Sequence, residues 1–322
     1  MSSQTRNIES SQPKILVLGA RGTVGRTLVQ ELARRNHPLL IADRGYFSAD
    51  NYYKCDISNY RQLERIFLEN EVSMVYNLAA EFGRWNGEQF YENVWTTNVI
   101  GYKHLLRLQE RFKFRTVHFS SSEVYGDYDG VMSEDVMDHH EIRQMNDYAI
   151  TKWVNEMQAM NSAAMFGTET VRVRLFNTYG PGEYYSSYRS ALCIFCYHAL
   201  HDLPYTVYLG HRRTSTYVSD CCATLANIVE NFKPGEVYNI GGTDLHDMKS
   251  ASDIILEVLG KDDSRVTYKE GEPFTTKDKV VDVSKAVRDL EHQSTVGLLE
   301  GLTRTLEWMK EVYRPGSPAT QL

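Results

Sequence analysis

The run Lys14-Ile15-Leu16-Val17-Leu18 passes directly into Gly19-Ala20-Arg21-Gly22-Thr23-Val24-Gly25, and no other feature of the chain limits its fold so strongly. A short, almost wholly apolar run reads as a strand buried on both faces. Glycines at every third position, followed by a helical pattern over 26–35, read as a strand-to-helix turn whose backbone must pack closely. Further apolar runs at 37–42, 72–78, 116–120 and 170–175 alternate with helical periods at 58–70, 90–112 and 147–166. That alternation predicts an α/β fold, a doubly wound parallel sheet covered on both faces. After Asn177 the pattern loosens into a turn cluster, Thr178-Tyr179-Gly180-Pro181-Gly182, and a Tyr/Ser-rich stretch. A smaller carboxy-terminal lobe is expected from there on.

Composition excludes several classes of function. The 322 residues carry a net charge of −7, so the broad basic face needed for nucleic-acid binding is not expected. Residues 1–11 are polar and no apolar run reaches about 18 residues, which predicts neither a secretion signal nor a membrane span. A soluble, cytoplasmic protein is the expectation. Five cysteines form no even disulfide framework. Cys193 and Cys196, with Cys221 and Cys222, raise a zinc site, but the first pair lies in an apolar, helix-like stretch. Buried thiols are the expectation, and no metal.

The glycine loop is suited to a dinucleotide. Gly19, Gly22 and Gly25 let backbone approach a pyrophosphate at a helix N-terminus, where free N–H groups and the helix dipole favour anions. Asp43 closes the second strand 18 residues beyond Gly25, where a carboxylate can accept both ribose hydroxyls and so favours NAD over a 2′-phosphorylated cofactor. Arg44 follows at once and could pair with such a phosphate. Asp56 and Ile57 are placed beside the adenine, and Leu78, Ala79 and Ala80 end a strand in small residues. Tyr148 and Lys152 lie one helical turn apart, a spacing that any helix can produce.

Taken in order, these elements resemble the extended short-chain dehydrogenase/reductase family, in particular its nucleotide-sugar epimerases, dehydratases and decarboxylases. The similarity runs from Lys14 to about Trp308. Besides the glycine loop and Tyr148/Lys152, it is carried by Asn77-Leu78-Ala79-Ala80, Ser120-Ser121-Ser122-Glu123-Val124-Tyr125-Gly126 and Arg174-Leu175-Phe176-Asn177-Thr178-Tyr179-Gly180-Pro181. Arg213 with Tyr217-Val218-Ser219-Asp220, and Tyr238-Asn239-Ile240-Gly241-Gly242, complete it. The resemblance implies a Rossmann-type domain with a substrate-binding lobe, bound NAD, and a cofactor set that includes Arg21, Thr23, Val24 and Asn98. It also implies that Tyr148, as phenolate, takes the sugar hydroxyl proton, helped by Lys152 and oriented by Ser121. Ser122 and Glu123 would direct the chemistry after oxidation at sugar carbon 4.

In dTDP-glucose-type 4,6-dehydratases the resembling motif is Thr-Asp-Glu, whereas this chain has Ser121-Ser122-Glu123 and lacks that aspartate. GDP-mannose dehydratases and UDP-glucuronate decarboxylases, with Thr-Ser-Glu, are closer to it. Glu123 argues against a simple epimerase. A nucleotide-sugar 4,6-dehydratase is the leading expectation, with decarboxylase and 4-epimerase as alternatives. A non-catalytic NAD sensor and an ordinary carbonyl reductase stand outside the family reading. Asn177, Arg189 and Arg213, together with Glu81 and Arg84 in the loop after Asn77, are expected at the substrate, with Arg212 competing with Arg213. Arg21 inside the glycine loop and Thr214-Ser215-Thr216 depart from the family pattern. Expected boundaries are a disordered tail at 1–12, a NAD-binding domain at 13–177, and a lobe at 178–322 from which 215–242 returns to the first domain. A homodimer through helices 90–112 and 147–166 is the further implication.

Overall fold

A computed structural model describes residues 13–314; the tail expected at 1–12 lies outside the described residues. The main sheet has seven parallel strands. In chain order its first five are β1 (Lys14–Leu18), β2 (Leu39–Asp43), β3 (Tyr52–Lys54), β4 (Val72–Asn77) and β5 (Arg115–Ser121). Thr170–Leu175 and Val237–Ile240 add the last two. Spatially the order is Val237–Ile240, Thr170–Leu175, β5, β4, β1, β2, β3. The direction of winding reverses between β1 and β4, so a crevice opens at their carboxyl ends, the place where doubly wound sheets bind ligands.

Leu16, Val17, Val75, Val117, Val171 and Val173 are all fully buried, as expected of strands covered on both faces. One face packs under α1 (Thr23–Arg34) and the helices Val218–Asn227 and Ser284–Leu290; the other packs under α2 (Tyr60–Glu69) and Tyr102–Phe112. The chain after Asn177 therefore supplies both a strand and two helices to the main sheet. Ser284–Leu290 has no counterpart in the expected boundaries. β3 is also not visible in the sequence, because three residues are too few for a periodic signal.

The expected helix 90–112 is a broken one. Short helices Arg84–Gln89 and Tyr91–Val94 lead into a π-helical stretch, Trp95–Gly101, before Tyr102–Phe112. The wider turn lets Asn98 and Gly101 both face inward. Asn98 then bonds the backbone of Glu81, and Gly101 lies against Ile57, whose Cγ1 would be 2.8 Å from an added Cβ. Helix Asp147–Phe166 starts cleanly, its Asn146 cap accepting the Ala149 N–H at 2.8 Å.

The lobe has its own core, built from Ala191–Leu200, Met248–Leu259 and Leu298–Val312 around Val207 and Tyr205. A four-stranded sheet joins it to the first domain, in the order Leu245–Asp247, Arg212–Thr214, Asp278–Val281, Val131–Met132. Its last strand comes from the amino-terminal half of the chain. All five cysteines are free and buried, and no group of three or more His, Cys, Asp or Glu among the described residues is arranged to hold a metal. No helix among them is long and apolar enough to cross a membrane.

A buried ion pair ties the helix Asp147–Phe166 to the main sheet. Glu156, at 0% exposure, takes both arms of Arg174, Nε to Oε1 and Nη2 to Oε2, each at 2.9 Å. Ser120 and Arg172 donate to the same carboxylate at 2.5 and 3.3 Å. Arg174 further donates to Tyr125 Oη and to the Glu134 carbonyl, and Tyr125 donates to Asn239. Burial raises the Glu156 pKa, but Arg174, Arg172 and Ser120 outweigh it, and the carboxyl titrates below its ordinary value. Its stabilisation is complete above the unfolded glutamate pKa of about 4.3 and is lost as pH falls through the lower native value. Glu156→Gln is expected to destabilise the protein by about 3–5 kcal/mol, because it strands a buried guanidinium. Urea unfolding at neutral pH tests this, and a loss below about 1 kcal/mol would contradict the proposed weight of the pair.

Candidate active site

The glycine loop is built for close approach. A Cβ on Gly25 would stand 2.2 Å from the Gly19 carbonyl oxygen, and one on Gly19, at φ +77°, would stand 2.8 Å from the Ala79 nitrogen. α1 begins at Gly22 with no side chain capping it, so its first-turn N–H groups are free for an anion. They border a cleft of about 420 Å³. Gly19, Arg21, Gly22, Thr23, Val24, Gly25, Asp43, Asp56, Ile57, Leu78, Ala79 and Ala80 line this cleft, and so do Ser121, Tyr148 and Lys152. The cradle that only glycine permits, the uncapped helix start and an acidic residue closing β2 fit a dinucleotide.

Arg21 does not lie across the loop. Its guanidinium reaches the Tyr46 carbonyl at 2.5 Å and sits 5.2 Å from the centre of the Phe47 ring, while its backbone N–H donates to Asp43 Oδ2 at 3.0 Å. Asn98 does not line the cleft. Its side chain is used in holding Glu81 N–H and carbonyl and the Thr151 hydroxyl, so it shapes the wall from behind. Glu81 and Arg189, expected at the substrate, line the cleft with the cofactor-type residues. Glu81 pairs with Arg44 at 2.6 Å; Arg189 lies 4.1 Å from the Phe82 ring centre and donates to the Tyr184 carbonyl. Thr97 and Phe82, absent from the residues expected here, also line it. Neither belongs to a recognisable motif; the turn after β4 and the π-helical stretch bring them there.

At the inner end stand Tyr148, Ser121 and Lys152. Burial pushes the Tyr148 phenol up to about 12, Ser121 pulls it down by a hydrogen bond, and the charge of Glu123 pushes it up again. Lys152 is 5.7 Å from the Tyr148 ring centre and donates a hydrogen bond to the Phe119 carbonyl at 2.8 Å. Burial lowers its ammonium to about 8. Burial thus favours the neutral phenol at Tyr148, and positive charge placed in the cleft would favour the phenolate.

The remaining expected residues do not line this cleft. Ser122 is buried. Glu123 N–H donates to Ser121 Oγ at 3.3 Å, and its carboxylate forms an ion pair with Lys279. Burial raises the Glu123 pKa, yet Lys279, Arg84 and Arg213 together hold it below its ordinary value. Arg213 is buried and donates to the carbonyls of Lys277, Arg212 and Thr276 at 2.7–3.1 Å. Arg212 instead points to solvent in a bidentate pair with Asp278. Arg84 pairs with Glu272 at 2.7 Å. Asn177, at φ +41°, has its amide on the Thr214 carbonyl. Lys279 and Glu272 carry no sequence signal, since only lobe packing brings them to Glu123.

Residues 15–241 match the family described as NAD dependent epimerase/dehydratase. The chain is 28% identical to the UDP-N-acetyl-alpha-D-glucosaminuronate decarboxylase of Bacillus cytotoxicus, over 93% of this chain and 98% of that protein. It is 24% identical to the dTDP-glucose 4,6-dehydratase of Salmonella typhimurium, over 92% of each. Among solved structures, the NAD complex of a Thermus thermophilus UDP-glucose 4-epimerase shares the fold, with a TM-score of 0.81 at 21% identity over 92% of this chain and 99% of that one. With its glycine cradle, parallel sheet and Tyr148/Lys152 helix, this chain belongs to the NAD-dependent epimerase/dehydratase family of nucleotide-sugar enzymes.

Proposed function

We propose that this chain oxidises carbon 4 of a nucleotide-diphosphate sugar and then eliminates water across carbons 5 and 6, as a 4,6-dehydratase. The observation that carries the reading is Glu123, a largely buried carboxylate held ionised beside Ser121 and Tyr148. An epimerase needs no second base at this place, whereas removing the proton from carbon 5 does. Bound NAD supplies the hydride acceptor, later the hydride donor, and a positive charge in the cleft that Tyr148 lines.

Each residue then has a distinct task. Ser121 orients the carbon 4 hydroxyl, and Tyr148 takes its proton. Lys152, fixed on the Phe119 carbonyl, keeps a positive charge within reach of the ring. With a ketone at carbon 4, the carbon 5 proton is acidic. Glu123 accepts that proton and passes it to the oxygen on carbon 6, which departs as water. The relatives include both dehydratases and decarboxylases. Decarboxylation is the second reading, favoured by Arg84, Arg213 and Lys279, a set of cations suited to a sugar carboxylate.

Mass spectrometry of UDP-, GDP-, dTDP- and CDP-sugars, uronic acids included, separates these reactions. Loss of water from a neutral sugar, abolished in Glu123→Gln, is the expected result. Loss of carbon dioxide from a uronic acid would replace this reading with the second. Tyr148→Phe is expected to lower kcat by at least about 10²-fold with NAD still bound. Unchanged activity would remove Tyr148 from the chemistry, and full biological output without turnover would point to an NAD sensor. Steady consumption of added NADH would indicate a carbonyl reductase.

We also propose a homodimer. Tyr91, Trp95 and Ile100 on one helical segment, and Met157, Met160, Met165 and Phe166 on the neighbouring helix, are exposed apolar side chains. Val94 and Leu105, by contrast, are inside the chain's own core. Light scattering is expected to give twice the chain mass, and Ile100→Glu with Met160→Glu to give one. A wild-type monomer at micromolar concentration would contradict the dimer.

A further inference from the structure

Lys279 is far along the chain from the glycine loop, in the lobe strand Asp278–Val281, yet its ammonium ends on the Glu123 carboxylate. The backbone delivers it there from two sides. Along one edge Lys279 pairs in register with Arg213; along the other, Val280 pairs with Val131, a few residues after the Glu123 turn. The Lys279 side chain is 4% exposed and that of Glu123 19%. A long flexible cation is left in such a place only when its charge is matched. Surface pairs of the same lobe, such as Arg212–Asp278, contrast with it, being open to water.

The groups facing Glu123 come from every element packed against it. Lys279 and Arg213 come from the lobe sheet, with His211 beside Arg213. Arg84 comes from the helix after β4, itself paired with Glu272. From the catalytic helix come Tyr148 and the cap Asn146, whose Nδ2 is 3.5 Å from Glu123 Oε2. Lys279 is the one cation among them that the structure bonds directly to the carboxylate. Burial and Arg213 pull its ammonium down to about 8, and Glu123 restores only part of this, so the lysine remains charged at neutral pH. Glu123 gains three cations while Lys279 gains one anion and two like charges, so the carboxyl is held below its ordinary value while the ammonium also falls below its own.

We infer that Lys279 is a positioning residue, a cation lent by the carboxy-terminal lobe to fix the Glu123 carboxylate beside Ser121 and Tyr148 and to keep it ionised. The inference rests on the role of Glu123 proposed above. Competence to accept a proton thereby depends on the lobe being seated, because the charge that stabilises the base resides on a strand of the lobe sheet. A purely structural stitch between lobes would leave the titration of Glu123 without consequence for turnover.

The test uses NAD-loaded enzyme with Glu carboxyls labelled by carbon-13, the Glu123 resonance being assigned by its loss in Glu123→Gln. In Lys279→Met the Glu123 midpoint is expected to rise by about one unit or more. The acid limb of kcat should move up with it, kcat should fall by about 10²-fold and KM should change little. Lys279→Arg, which keeps a cation, should restore the limb. Lys279→Gln gives the same reading if the methionine variant does not fold. An unchanged Glu123 midpoint in the neutral variants, or a shifted midpoint with an unmoved kcat profile, overturns the inference. If the wild-type enzyme converts no nucleotide sugar, the proposed function fails instead, and the Glu123 midpoint still decides whether Lys279 holds this carboxylate.

Discussion

The bidentate pair between Glu156 and Arg174 is the contact on which the rest of the site depends. Glu156 belongs to the helix that carries Tyr148 and Lys152, and Arg174 to the strand beside β5. Through Ser120 the same carboxylate reaches the strand that ends at Ser121, and through Tyr125 and Asn239 the arginine reaches the last strand of the sheet. The phenol, the serine and the glutamate turn are thus fixed relative to one another from beneath. Because both charges are fully buried, neither can leave without stranding the other.

Above that foundation the cleft divides electrostatically. Its outer part offers backbone N–H groups and a helix start to a pyrophosphate, and the carboxylates of Asp43, Asp56 and Glu81 also line the cleft. Its inner part holds Tyr148 neutral, because burial and the Glu123 charge both oppose the phenolate. Positive charge entering the cleft would pull the phenol back down. Glu123 behaves in the opposite way: its neighbours keep it ionised throughout, at the cost of concentrating three cations from two parts of the chain.

Much of this architecture is legible in the order of residues. The apolar runs and glycine spacing identify β1, the phosphate turn and the parallel sheet, because those depend on local backbone demands and on a short repeat. The helix 147–166 and the strands at 170–175 and 237–240 are legible for the same reason. Legibility ends where a residue acts through tertiary contact. Asn98, expected among the cofactor residues, braces the wall, since a π-helical turn faces it inward. Arg189 and Glu81, expected at the substrate, line the same cleft as the glycine turn and Tyr148, because the loops at 81–83 and 182–190 pack on each other over the glycine turn. Nothing in the sequence distinguishes Arg212 from Arg213; strand register buries one and exposes the other.

What the sequence by itself determined is the strand–turn–helix that cradles a dinucleotide and the Tyr148–Lys152 spacing, since both are properties of contiguous residues and regular geometry. What only the tertiary structure decided is the charge environment of Glu123. Lys279 and Arg84 lie far from it along the chain; the Lys279 side chain meets it because a strand from the first half, Val131–Met132, completes a sheet in the second, while Arg84 acts on it through space from the helix after β4. Electrostatic interaction depends on distance through space and on exclusion of water, and neither quantity is recorded in the order of residues.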